Sequence, residues 1–172
     1  MENLKKYIFE FIDFPKEGIV FKDINPIYKQ PKIWNEFMLP IEQLLSDTKP
    51  DYIVGIESRG FITASALAFK NKIGFIPVRK PNKLPGKIIG INYKLEYGED
   101  RLEIQEGSFK TNSKIILIDD LLATGGTASA ATKLIREAGG NLIGYAFLVE
   151  LTELKGRKHL DTKVQIKSVI KY

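Results

Sequence analysis

The segment IILIDDLLATGGTASAATKLI, residues 115 to 135, constrains the fold of this chain more than any other part of it. Ile115, Ile116, Leu117 and Ile118 form an unbroken branched apolar run, the pattern of a strand buried on both faces. Asp119 and Asp120 follow at its end, and a short turn leads to Thr124-Gly125-Gly126-Thr127. Helical spacing begins there, with Ala131, Leu134 and Ile135 on one stripe, and stops at Gly139-Gly140. A strand, a glycine-rich turn and a helix in succession make an anion site, because the first N–H groups of the helix lack partners and its dipole favours negative charge. No Lys-Ser/Thr pair follows the glycines, as a Walker A loop would require, and no GxGxxG is present. The two carboxylates suit the hydroxyls of a sugar, or a metal-chelated ligand. Together the parts describe a ribose 5-phosphate held at both ends. Taken alone, TGGT also fits an ordinary strand–helix unit whose glycines only permit close packing.

Short apolar runs alternate with helical patterns along the rest of the chain. Tyr52 to Ile56, Phe75 to Val78, Ile115 to Ile118, Leu142 to Val149 and Val164 to Ile170 read as strands. Helical spacing covers roughly 2 to 12, 32 to 47, 60 to 71 and 127 to 138, with Pro40 expected to kink or break the second. This alternation predicts an α/β fold, a central mostly parallel sheet flanked by helices. Ligands in such folds bind at the carboxyl ends of the strands, where Asp119, Asp120 and TGGT fall. Residues 79 to 111 interrupt the rhythm. They are polar and rich in Pro and Gly, with a hairpin expected around Tyr93 to Tyr97 and Leu102 to Ile104, and an insertion of this length reads as a lid or binding loop.

With 172 residues the chain reads as one domain, 1–172, able to bury roughly two thirds of its unfolded surface. No apolar run approaches the ~20 residues of a membrane span, and residues 1 to 12 do not read as a signal peptide. Cysteine is absent, which removes disulfides, thiolate metal sites and thiol nucleophiles and points to the cytoplasm. The net charge of +5 is spread along the chain, and fits a polyphosphate pocket as well as it fits nucleic acid.

Other junctions carry chemistry of their own. GIESRGF, 55 to 61, is a second strand-to-helix turn, where Arg59 offers a fork of donors suited to phosphate, or else to an ion pair. RKPNKLPG, 79 to 86, supplies the cations Arg79, Lys80 and Lys83; a solvated basic loop is the alternative. Glu96 in YKLEYG is by itself an ordinary strand glutamate. His159, the sole histidine, sits among charges as a surface residue, and Trp34 suits core or interface.

The run with DD and TGGT resembles the signature by which phosphoribosyltransferases bind phosphoribosyl diphosphate (PRPP). The order FPKEGIVFKDI, GIESRGF, RKPNKLPG, LEYG, IDDLLATGGT and LVELTELKGR extends the resemblance, from about Phe14 to Leu160, to the adenine phosphoribosyltransferases. The resemblance implies an N-terminal hood over the base (about 1–30), a mobile loop (about 79–111), and a homodimer that makes AMP and diphosphate from adenine and Mg²⁺-bound PRPP. It places the 5-phosphate on Ala123, Thr124, Gly125, Gly126 and Thr127, and the ribose hydroxyls on Asp119 and Asp120. Glu57, Ser58 and Arg59 would take the diphosphate, with Arg79, Lys80 and Lys83 neutralising it. Mg²⁺ would be held mainly by PRPP oxygens and water, with no dedicated protein metal cage.

Base choice would follow from backbone polarity: the Val20 carbonyl accepts from the adenine amino group, the Lys22 N–H donates to ring N1, and Phe21 stacks. Hypoxanthine reverses both atoms, a mismatch worth about 10⁴-fold or more in kcat/KM. Relatives are expected to carry Arg where Lys22 stands. The related hypoxanthine-guanine enzymes carry aspartate at the position of Ala123, so the resemblance moves the N7 proton to Glu96, with Tyr97 packing over the closed site. Two further readings are a xanthine or hypoxanthine-guanine transferase, against which Ala123 and the hood speak, and a PRPP-sensing regulator that binds nucleic acid, for which no winged-helix segment is present.

Overall fold

The computed structural model describes residues 2–94 and 98–172. In chain order the strands are β1 (Phe9–Ile12), β2 (Val20–Asp23), β3 (Tyr52–Ile56), β4 (Gly74–Val78), β5 (Ile88–Lys94), β6 (Glu99–Gln105), β7 (Lys114–Leu122), β8 (Asn141–Glu150) and β9 (Gln165–Lys171). The helices are α1 (Asn25–Tyr28), α2 (Pro31–Thr48), α3 (Gly60–Asn71) and α4 (Gly126–Glu137).

Five strands form the central sheet in the order β4-β3-β7-β8-β9, and every pairing in it is parallel. The apolar run at its middle is buried on both faces, as its composition requires. Alternation sends Ile116 and Ile118 to one side, where they pack with Phe37, Ile41 and Leu44 of α2 and Ala64 and Leu67 of α3. Ile115 and Leu117 face the other side, against Ala131 and Leu134 of α4 and Leu102 and Ile104 of β6. Each of these four β7 side chains is fully buried, which contributes about 1.5–3 kcal/mol apiece.

Three expectations need correction. The N-terminal helix over 2–12 is a 3₁₀ turn, Glu2–Tyr7, followed by β1. Leu4 and Ile8 anchor the turn in the core. Beyond them Phe9-Glu10-Phe11 follows a period of two and pairs with β2, Phe11 opposite Phe21, so strand pairing overrides the helical spacing. Second, α2 runs through Pro40 unbroken. Only one intrahelical bond is lost there, to the carbonyl of exposed Glu36, and the buried stripe of Phe37, Met38, Ile41, Leu44 and Leu45 holds the helix on the sheet. Third, the insertion hairpin begins at Ile88 rather than Tyr93, with Ile91 opposite Leu102. Gly90, which reads as a loop residue, is a strand residue: a Cβ there would lie 2.1 Å from Nη2 of Arg101, whose guanidinium covers it. The hairpin is tied to the end of β4 by paired backbone bonds between Arg79 and Glu103, 2.9 and 2.8 Å.

Candidate functional site

A cavity of about 310 Å³ opens at the carboxyl ends of β3 and β7. Glu57, Ser58, Arg59 and Lys80 line one side, and Asp119, Asp120 and Ala123 through Thr127 the other. The structure thus brings together most of the residues that the sequence singles out.

The loop after β7 reaches α4 through Gly125, which stands at φ 85° as the residue capping the helix. A side chain is excluded there twice over, since positive φ disfavours one and a Cβ would meet the Gly156 carbonyl oxygen at 2.3 Å. The N–H groups of Gly126, Thr127 and Ala128 open the helix, and these residues line the cavity, so it is lined by donors without intrahelical partners.

Asp119 and Asp120 face this loop. Burial, reinforced by the neighbouring Asp120 carboxylate, raises Asp119 well above the ordinary carboxylate range. The Asp119 side chain accepts the Asp120 N–H at 2.9 Å. It is packed so closely on α3 that a Cβ at Gly60 would fall 2.6 Å from its Oδ1. Asp120 forms an ion pair with Arg59, Nη2 to Oδ2 at 2.7 Å, with angles that do not make a hydrogen bond.

Across the cavity, the peptide bond between Glu57 and Ser58 is cis. Glu57 accepts from Arg79 Nε at 3.2 Å and from the Lys80 N–H at 2.8 Å. Burial would raise its pKa, but those hydrogen bonds outweigh burial and leave it lowered. Lys83 sits in the same loop and gives its carbonyl to Arg79 Nη1 at 3.1 Å. Lys83 does not line the cavity.

The β1–β2 hairpin meets Arg59 on the cavity wall through Phe21, whose ring centroid lies 5.1 Å from the Arg59 guanidinium and 5.1 Å from the Phe14 ring. The Ile19 carbonyl accepts the Phe14 N–H at 3.2 Å and so points toward β1. Backbone groups alternate edges along a strand. The Val20 carbonyl and Lys22 N–H therefore lie on the edge of β2 that no strand covers among the described residues. The Lys22 ammonium turns elsewhere, to Glu10 and to the Tyr172 ring 4.0 Å away. Glu96 and Tyr97 lie outside the described residues.

Four site neighbours escape sequence reasoning. Tyr28, from α1, is half-buried, and its phenol is pushed up to about 12 by burial and by the Asp120 charge, against Thr63 and Arg59. Tyr93 and Asp100, on the insertion hairpin, engage Lys80. Gly156 abuts the phosphate-type loop. The close packing of Gly125 could be suspected from TGGT; the other contacts join segments far apart in the chain and carry no local signal.

A parallel sheet with a glycine loop, paired carboxylates and an arginine-bearing turn at its carboxyl end defines a class, and residues 23–171 match the family described as phosphoribosyl transferase domain. The chain is 70% identical over 172 residues, the whole of both chains, to the adenine phosphoribosyltransferase of Prochlorococcus marinus (strain NATL1A). The crystal structure of adenine phosphoribosyltransferase from Thermoanaerobacter pseudethanolicus superposes with a TM-score of 0.95 at 44% identity, covering 99% of each chain. That of the Saccharomyces cerevisiae enzyme, complexed with an imino-altritol bisphosphate and adenine, gives 0.90 at 40% identity, covering 98% of this chain and 97% of the other. The chain belongs to the phosphoribosyltransferase family and, within it, to the adenine phosphoribosyltransferases.

Proposed function

We propose that the cavity between Arg59 and the Asp119–Thr127 segment transfers the 5-phosphoribosyl group of PRPP to N9 of adenine, giving AMP and diphosphate in purine salvage. One juxtaposition supports this reading best: Arg59 touches both the base-side ring of Phe21 and the sugar-side carboxylate of Asp120, so base, ribose and diphosphate would meet at one point.

In this account the N–H groups and hydroxyls of Ala123, Thr124, Gly125, Gly126 and Thr127 hold the 5-phosphate. Asp119 and Asp120 bond the ribose hydroxyls. The turn of Glu57, Ser58 and Arg59 takes the diphosphate, with Arg79, Lys80 and Lys83 supplying positive charge. Phe21 stacks on adenine, and the free edge of β2 reads it through the Val20 carbonyl and Lys22 N–H. Departure of diphosphate leaves an oxocarbenium-like ribose, so orientation, neutralisation of the leaving group and exclusion of water carry the rate. Glu96 is assigned the N7 proton and Tyr97 the closing contact, the insertion over 79–111 would serve as a lid, and residues 1–30 as a hood.

The residues fit a magnesium ion carried in by the substrate. Asp119 and Asp120 present hard oxygen donors on the cavity wall, which such an ion takes directly or through water. Bound with PRPP, it would supply charge neutralisation at the diphosphate. No helix among the described residues is long and apolar enough to cross a membrane, and the reading places the protein in the cytoplasm. The homodimer is supported by exposed apolar residues on neighbouring helices, Leu39 of α2 with Ile62 and Phe69 of α3, the last 90% exposed.

The test is PRPP-dependent formation of AMP from adenine by the purified chain, with and without a magnesium chelator. AMP that disappears with the chelator is expected; absence of AMP under both conditions overturns the proposal.

A further inference from the structure

Three of the cations assigned to the diphosphate already hold a carboxylate of this chain. Arg59 holds Asp120 at 2.7 Å and Arg79 holds Glu57 at 3.2 Å. Lys80 holds Asp100. The third pair differs from the other two. Asp120 and Glu57 line the cavity and have positions in the reading above, whereas Asp100 lies outside it, on the β5–β6 hairpin. Asp100 is also fixed from a second side, because the Tyr93 hydroxyl donates to its Oδ2 at 2.9 Å. Lys80 Nζ in turn lies 3.2 Å from that same hydroxyl. The three groups form a closed triangle, which a solvated surface pair would not need. Tyr93 also reaches the opposite wall, with its hydroxyl 3.5 Å from Thr127 Oγ1.

We propose that Asp100, oriented by Tyr93, is a built-in competitor for the diphosphate group at Lys80, and so sets how tightly the diphosphate of substrate and product is held. The inference rests on the assignment of Lys80 to the diphosphate. A lysine suits such an exchange: its ammonium is a point charge on a flexible stem, free to change partner without the planar matching an arginine requires. An incoming diphosphate must take Lys80 from Asp100, and a departing one is helped away when Asp100 recaptures it. Tyr93, released with Asp100, keeps Thr127 as its alternative partner, so the hairpin and the phosphate loop respond together.

The test is calorimetric titration of inorganic diphosphate, at fixed magnesium, into four proteins: wild type, Asp100→Asn, Lys80→Met and the double variant. Thermal melting confirms that each is folded; Asp100 is on a surface hairpin, and Asp100→Ser serves as a second neutral replacement. Asp100→Asn is expected to bind diphosphate about two- to fivefold more tightly than wild type, the range for a partly exposed ion pair. Lys80→Met is expected to bind more weakly, and Asp100→Asn to add nothing in that background. Weaker binding by Lys80→Met with unchanged or weaker binding by both Asp100 variants overturns the competitor role alone. Equal binding by wild type and Lys80→Met overturns the assignment of Lys80, and the inference with it.

Discussion

Gly125 and Gly156 are packed backbone to backbone: a Cβ on Gly125 would stand 2.3 Å from the Gly156 carbonyl oxygen, and one on Gly156 would stand 2.2 Å from that of Ala123. The phosphate-type loop is therefore shaped by a segment some thirty residues further along the chain as well as by its own sequence. Neither neighbour is a flexible side-chain end that could yield. Gly156→Ala should displace the loop, raising KM for PRPP by about tenfold or more, since misplacement by about 1 Å can cost 10²-fold. Steady-state kinetics with PRPP varied, alongside circular dichroism to confirm the fold, checks this. An unchanged KM would show that the loop does not depend on the contact.

Arg157 secures the same segment. Its guanidinium donates to both oxygens of buried Glu150, at 2.6 and 2.8 Å, and to Ser168 Oγ at 3.3 Å. Burial would raise Glu150, but the bonds from Arg157 and Ser168 win and hold it below its ordinary 4.5. A depressed folded pKa gives stability that is present above the unfolded value and lost as pH falls through the folded one. Arg157→Met leaves the carboxylate buried and should cost about 2 kcal/mol at pH 7. Urea unfolding at pH 7 and at pH 4 should show the deficit shrinking at the lower pH, where protonation spares the uncompensated charge.

Asp119 has the opposite sign. Its pKa is raised in the folded state, first by burial and then by Asp120. The associated stability is complete below the ordinary carboxylate range and is lost as pH rises through the folded value. At neutral pH, above the ordinary carboxylate range, keeping this carboxyl in the ligand-free site therefore costs stability. Asp119→Asn should raise the Tm by about 2–4 °C, the effect of about 1 kcal/mol in a chain of this size, while lowering kcat/KM by about 10²-fold or more. Calorimetry at pH 7 paired with an AMP assay tests both halves. A lower Tm would contradict the electrostatic reading.

The ammonium of Lys22 is occupied by Glu10 and Tyr172, so base choice should survive its removal. Lys22→Ala is expected to keep the preference for adenine over hypoxanthine. Lys22→Pro removes the N–H on the open edge of β2, where proline is tolerated structurally, and should lower kcat/KM for adenine by about 10²-fold or more. Parallel assays with both bases separate side-chain from backbone recognition.

Much of this site is legible in the sequence because its parts are local. Ile115 to Ile118 announce a buried strand, the carboxylates sit at its end, and TGGT opens the next helix; all occupy consecutive positions. Tyr93, Asp100 and Tyr28 carry no such signal, since their relation to Lys80 and Asp120 comes from the hairpin folding back and from α1 packing against α2. The error at residues 9–12 has the same origin. Phe11 and Ile12 continue a helical stripe on paper, but the backbone groups of Phe9–Ile12 find partners in β2, and the alternation of Phe9-Glu10-Phe11 is too short to outweigh that stripe.

The central claim is tested most directly by incubating the chain with PRPP and Mg²⁺ and with adenine, hypoxanthine, guanine or xanthine in turn, and following nucleotide and diphosphate release. AMP from adenine, with little or no product from the oxopurines, is the predicted result. Product from an oxopurine alone, or tight PRPP binding with no product from any base, would contradict the account.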